Sequence, residues 1–213
     1  TLATRQGQVK KTAVSEYANI RQNGIIAISL NDGDELVSGC LTTGEYHLML
    51  VTHNGKSIRF KEAEVKDSGR NTKGVKGINL KDDDFVVAME CFDPEVEAPD
   101  DGRLRWFRHL FVVTQNGMGK RTELDEYPVQ KRGGMGVKVA DITKKTGKVA
   151  AARLVTHADD EVVLTTEKGQ AIKMPLLQKS IPVLTRPTQG VILMRTKSDD
   201  KVVAVATTLR EDE

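Results

Sequence analysis

The residues with chemistry to offer are cations that return at fixed places along the chain. Lys10 and Lys11 follow Gly7, Lys56, Arg59 and Lys61 follow Gly55, Lys120 and Arg121 follow Gly117, and Lys168 and Lys173 flank Gly169. A second set precedes a later glycine: Arg70 and Lys73 before Gly74, Lys131 and Arg132 before Gly136, Lys179 and Arg186 before Gly190. Lys76 and Lys138 lie two residues beyond Gly74 and Gly136. Positive charge repeated at equivalent points can neutralise one phosphate after another along a polyanion. Any single lysine could be solvated decoration of an exposed strand. Solubilising charge need not repeat in register, so the set as a whole points to nucleic acid.

Other chemistry finds little support. Tyr17, Tyr46 and Tyr127 sit in strand or turn contexts with no base beside them, and His47, His53, His109 and His157 lack metal-ligand spacing. Asp82-Asp83-Asp84 lacks the glycine and distal glutamate of a calcium loop and reads as a solvated turn. Arg103-Leu104-Arg105-Trp106-Phe107-Arg108 interleaves basic and aromatic residues; it suits stacking on bases, and equally an alternating strand with outward arginines. No catalytic residue, metal or cofactor is expected in this chain. An enzyme built on this plan would need convergent carboxylates or histidines, which the sequence does not offer. A protein-interaction scaffold would use a binding face and show no salt-dependent DNA affinity.

The 213 residues carry a formal charge of only +2, so bulk charge does not announce the partner. The charge is segregated instead. Nine acids and no base lie between Asp82 and Asp101, and the stretch from Lys168 to Lys197 has six bases and no acid. No run approaches the roughly 18 apolar residues of a membrane span. The beginning, Thr1-Leu2-Ala3-Thr4-Arg5, has neither a signal h-region nor a methionine, which suggests a piece of a longer cytoplasmic protein. Cys40 and Cys91 are read as reduced thiols, with a disulfide between them as the other reading.

The elements that must position the cations form a fourfold repeat. Leu2–Thr12, Leu50–Phe60, Val112–Thr122 and Leu164–Met174 share one order of residue types, and their glycines are 48, 62 and 52 residues apart. Each reads as a strand, a two-residue polar turn with glycine, and a second strand. A further glycine (Gly24, Gly74, Gly136, Gly190) follows after 17, 19, 19 and 21 residues. Another alternating strand comes next, such as Ile25–Leu30, Val75–Leu80 or Val191–Met194. A polar turn then leads to the last strand, as in Asp34–Gly39 and Lys201–Ala206. Four short strands per unit of roughly 50 residues predict an all-β, propeller-like array in one domain spanning 1–213. The blades run over about 1–47, 48–109 (with an insertion at 93–109), 110–160 and 161–213.

The third unit contains Gln130-Lys131-Arg132-Gly133-Gly134-Met135-Gly136, preceded by Gly117-Met118-Gly119-Lys120-Arg121-Thr122 and Glu126-Tyr127-Pro128. These residues, with Arg70-Asn71-Thr72-Lys73-Gly74-Val75-Lys76-Gly77-Ile78 and Thr188-Gln189-Gly190-Val191-Ile192-Leu193, resemble the carboxy-terminal domains of gyrase A proteins and their topoisomerase IV relatives. Met135 departs from the family box, which has a basic residue there, and the box normally sits in the first blade. The resemblance therefore implies a true box upstream. It also implies a β-pinwheel whose blades exchange strands, usually six in number, around which duplex DNA wraps without sequence preference. Gln130, Lys131, Arg132, Gly133, Gly134 and Gly136 join the cations above as DNA-contacting candidates, the box glycines by letting backbone N–H groups approach phosphate or by making a tight turn. By the same resemblance, the cleaving tyrosine, ATP and Mg belong to other parts of a nucleoid-associated holoenzyme with a gyrase B-type ATPase partner. The wrap sets the handedness of DNA crossing for negative supercoiling.

Overall fold

Each repeat turns its first hairpin on a threonine and a glycine three residues apart. In the computed structural model, which describes residues 1–81, 83–96, 108–176 and 181–209, a threonine carbonyl accepts from the glycine N–H three residues on. The pairs are Thr4 with Gly7 (3.0 Å), Thr52 with Gly55 (3.0 Å), Thr114 with Gly117 (2.9 Å) and Thr166 with Gly169 (3.0 Å). In three of them the threonine hydroxyl also accepts the N–H of the residue after the glycine: Gln8, Lys56 and Gln170. Inside the opposed pairs Ala3↔Val9, Val51↔Ser57, Val113↔Gly119 and Thr165↔Ala171, the turn between the threonine and the residue after the glycine has three residues, not the two expected. The reason is backbone twist: a tight turn followed by one left-handed residue joins twisted strands, and glycine at φ 76–82° fills that place.

The first repeat supplies β1 (Leu2–Thr4), β2 (Gln8–Lys10) and β3 (Leu36–Gly39), and the second supplies β4 (His47–Thr52), β5 (Lys56–Lys61), β6 (Val75–Lys76) and β7 (Val86–Phe92). The third supplies β8 (Arg108–Thr114), β9 (Met118–Glu123), β10 (Val137–Lys138) and β11 (Val149–Thr156). The fourth supplies β12 (Asp159–Thr166), β13 (Ala171–Pro175), β14 (Val191–Ile192) and β15 (Val202–Leu209). The first sheet has the order β3-β1-β2-β6, β4 lies between β5 and β7 in the second, the third runs β11-β8-β9-β14, and the fourth β13-β12-β15.

Strands are thus exchanged. β6, from the second repeat, completes the first sheet through Val9↔Val75 and Gln8↔Lys76, and β14, from the fourth, completes the third through Gly119↔Val191 and Met118↔Ile192. The exchanged strands are two residues long, shorter than the alternating pattern suggested, and Ile25–Leu30 of the first repeat forms no strand. Contact with the hairpin begins at the second glycine. A Cβ on Gly74 would lie 2.4 Å from the Val9 carbonyl oxygen, and one on Gly190 2.5 Å from that of Gly119, so only glycine lets the backbones approach this closely.

Contacts group the chain into two compact units, one of Thr1–Val51, Ser57–Pro94 and Val129–Gly136, the other of Thr52–Lys56, Glu95–Pro128 and Val137–Glu213. The first is built around Ala3, Val9, Leu48, Leu50, Ile58, Phe60, Ile78 and Met89, the second around Phe111, Val113, Val155, Val162, Leu164, Ile181 and Val202. Each fully buried side chain of this size stabilises the folded state by ~1.5–3 kcal/mol. The 93–109 insertion lies largely outside the described residues.

Candidate nucleic-acid interface

Strand alternation divides the candidate cations into inward and outward sets. The third residue after the turn glycine is Lys10, Ile58, Lys120 and Ile172 in successive repeats. Ile58 and both lysines are buried. Lys10 Nζ donates to the carbonyls of Ala27 (2.7 Å) and Arg70 (2.5 Å). Lys120 Nζ donates to Thr185 O (2.6 Å), to Arg186 O and to Thr188 Oγ1 (3.0 Å). Burial pulls the Lys120 ammonium down to about 8, against an opposing pull from Glu126, and burial with the Arg70 charge also lowers Lys10. Arg121 is buried as well; its Nε and Nη2 both donate to Ile181 O, at 3.0 and 2.9 Å, and desolvation lowers its pKa.

These findings correct the sequence expectation for three residues. Lys10, Lys120 and Arg121 are struts that tie a connector of the next repeat to the hairpin, and burial withholds them from phosphate. The connectors meet the hairpins in register at the next position too, through isolated parallel bridges Lys11↔Asp67, Arg59↔Val129 and Arg121↔Val183.

Three arginines form a second set of clasps, four residues before the later glycine. Arg70 Nη1 donates to Ile26 O (2.9 Å), Arg132 Nη1 to Lys76 O (2.5 Å) and Arg186 Nη1 to Lys138 O (3.1 Å). Each acceptor is the second residue after the preceding repeat's later glycine. A glutamate holds two of these connectors in place: Glu64 Oε2 accepts the Arg132 N–H (2.9 Å) and Glu126 Oε2 accepts the Arg186 N–H (3.0 Å). Arg132 Nε also donates to Glu64 O (3.1 Å). Half-buried Arg59 donates to His47 Nδ1 (3.1 Å) and lies over the Phe92 ring.

Several surface cations are already paired. Lys11 meets Asp67 at 3.2 Å, Lys168 meets Asp199, Lys173 meets Glu161 at 2.6 Å and Lys138 lies 4.0 Å from Asp141. The Glu161 carboxylate raises the Lys173 pKa. Lys56 is half-buried, and Lys179 lies outside the described residues.

What remains outward is concentrated in the first unit: Lys61, Lys73, Lys76 and Lys131 are exposed. The box segment docks between β5 and the end of β6. Gln130 N–H donates to Arg59 O (2.7 Å), Gly133 N–H to Gly77 O (2.8 Å), and Asn79 N–H to Gly134 O (2.8 Å). With Arg132 fixed on the Lys76 carbonyl, Lys131 and Lys76 flank one clasp. Gly133 N–H is thereby committed within the protein, and Gly134 N–H donates to Lys131 O at 3.4 Å. Gly133 and Gly136, at φ 81° and 69°, serve the turn.

The sequence reading missed exposed Lys66 and a group in the second unit, Lys144, Lys145 and Lys148. Asn116 Nδ2 holds that loop by the carbonyls of Lys144 (3.2 Å) and Lys145 (3.0 Å), and Gln115 Oε1 accepts the Lys148 N–H (3.2 Å). The signal was present: the corresponding turns carry Asp34, Asp84 and Asp200, whereas the third repeat reads Thr-Lys-Lys-Thr-Gly-Lys. Among the described residues no group of histidine, cysteine and carboxylates is placed to hold a metal, and no helix is long and apolar enough to cross a membrane. Asp84 caps Phe85 N–H at 2.9 Å, as a turn residue does. Tyr127 is buried and burial pushes its phenol up. Arg103–Phe107 lies outside the described residues.

Hairpin repeats that exchange edge strands define a propeller-type β domain. The chain superposes on the C-terminal domain of DNA topoisomerase IV with a TM-score of 0.85 at 28% identity, over 98% of this chain and 61% of that one. On a DNA gyrase A C-terminal domain the TM-score is 0.80 at 23% identity, over 98% and 64%. In sequence it is 40% identical to the DNA gyrase A protein of Deinococcus deserti over 99% of its length, and 41% identical to that of Salmonella typhimurium over 96%. It spans about a quarter of those relatives, 25% and 22%. The family of the DNA gyrase C-terminal domain, described as a beta-propeller, matches residues 2–39, 46–93, 108–156 and 160–208. The chain belongs to that family.

Proposed function

We propose that this chain is a DNA-wrapping module: it holds a bent duplex on exposed lysines and makes no covalent bond. The observation that carries the reading is the docked box, which fixes Lys131 beside Lys76 on the exchanged strand of one unit. Lysine contacts to phosphate carry no sequence information, so binding is non-specific and falls steeply with salt. Bending a few tens of base pairs costs on the order of 1–6 kcal/mol, which many distributed contacts offset more readily than one pocket. The box glycines contribute by shaping the connector, since the Gly133 amide is already spent on Gly77.

In the parent protein, the wrap would set the handedness of the DNA crossing passed through the enzyme's break. Cleavage by a tyrosine and ATP hydrolysis by a gyrase B-type partner would take place elsewhere in a cytoplasmic, nucleoid-associated assembly. This module would need no cofactor of its own. The family match and the gyrase A relatives support gyrase over topoisomerase IV as the parent.

The test is topological. Relaxed closed-circular plasmid is incubated with the chain, treated with a nicking-closing topoisomerase, and stripped of protein. Wrapping shifts the linking-number distribution in proportion to bound protein, and an unshifted distribution at saturating protein rejects the proposal.

A further inference from the structure

The chain has two cysteines, and the first unit brings them together. β3 and β7 are the last strands of successive repeats and belong to different sheets, yet they lie side by side. Ser38 Oγ donates to Met89 O at 3.2 Å, which aligns β3 with β7 at an offset of 51 residues. Two residues further along each chain segment, the same offset sets Cys40 beside Cys91. Both are half-buried thiols, and both pack against the core that includes Leu50 and Met89.

The two side chains share a hydrogen bond. That bond first, and burial after it, push the Cys91 thiol up, so Cys91 is held as S–H. Packing alone would ask only for two small apolar side chains. Two sulfurs in hydrogen-bond contact are also near enough for an S–S bond of ~2 Å to close with a small rotation of the side chains.

We propose that Cys40 and Cys91 form a reversible dithiol, a modification site for low-molecular-weight disulfides of the glutathione type. The Cys40 thiolate attacks one sulfur of the oxidant, forming a mixed disulfide and releasing one thiolate, which takes up the proton Cys40 lost. Cys91 then gives up its proton, and its thiolate attacks Cys40 Sγ. The second half of the oxidant leaves as a thiolate and is protonated in turn. Two protein thiols and one oxidant disulfide thus become one protein disulfide and two small thiols. The new bond ties β3 to β7, joining two sheets that share no backbone ladder.

The test equilibrates the 213-residue chain, without oxygen, in buffers of stepped reduced-to-oxidised glutathione ratio. Samples are quenched in acid, alkylated and weighed. Both cysteines should become protected together, with the loss of two hydrogens, along a curve that follows a two-electron couple. The oxidised chain should melt roughly 4–16 °C above the reduced one. Cys91→Ser should stop at the first step, with one glutathione retained on Cys40. Two alkylated thiols in every buffer overturn the proposal, as do glutathione adducts left on the unaltered chain or a bond formed between molecules. So does a melting temperature that oxidation fails to raise.

Discussion

Replacing Lys120 separates a strut from a DNA contact. The amine meets two carbonyls and one hydroxyl, and its alkyl stem is fully buried. Lys120→Ala leaves those acceptors to find water, which costs ~1–3 kcal/mol for a buried group. It also opens a cavity worth ~2 kcal/mol or more. Release of a desolvated charge offsets part of this. A net loss of about 3 kcal/mol lowers the melting temperature by roughly 6–12 °C, at ~2–4 °C per kcal/mol for a chain of this size. Lys120→Met fills the volume and should lose less. The assay is thermal unfolding followed by circular dichroism, paired with DNA binding at several salt concentrations well below the transition. A strut changes the first and leaves the salt slope where it was. An unchanged melt together with a slope smaller by ~0.9, the signature of one phosphate no longer neutralised, would make Lys120 a DNA contact and not a strut.

The same amine gives a pH signature. Its folded pKa, about 8, lies below the ordinary 10.5, so between those values the unfolded chain holds the extra proton and stability rises with pH. The gain should be absent from Lys120→Met, read as the difference between the two melting curves from pH 7.5 to 10. Gly136→Ala should lower stability by ~2 kcal/mol or more, since a Cβ would sit 2.3 Å from the Ser57 carbonyl oxygen at φ 69°; urea unfolding reads it. Arg132→Gln should loosen the box from Lys76 and Glu64, seen as faster amide exchange at Gly133 and Asn79, and should weaken DNA binding by more than the removal of one charge.

The repeat, the turn glycines and the family likeness were legible because they rest on local rules: glycine where φ is positive, alternation where one face is buried. The hairpin loops still proved longer than expected. The polarity of Thr-Arg-Gln-Gly and Thr-His-Asn-Gly does not reveal where pairing stops. The direction of the lysines was harder. Lys10 and Lys120 stand on strands whose outer side looks solvated until a connector from the next repeat crosses it, and that crossing is a long-range event. A clue lay in the register, where the same position is isoleucine in the second and fourth repeats. A site that accepts Ile58 is inward, and a lysine there must carry its amine to carbonyls. Lys144, Lys145 and Lys148 escaped notice for the opposite reason, since their turn breaks the repeat: Gly147 stands where the others place Asp34, Asp84 and Asp200.

In the proposed function the outward lysines of the first unit, held by the docked box, are the phosphate contacts. The salt dependence of duplex binding by a chain carrying Lys61→Glu, Lys73→Glu, Lys76→Glu and Lys131→Glu tests those contacts. The slope of log affinity against log salt should shrink by up to ~0.9 for each lysine that neutralises a phosphate, about 3–4 in all, with the fold intact by circular dichroism. A folded variant that binds with the original slope rules these lysines out as the contacts.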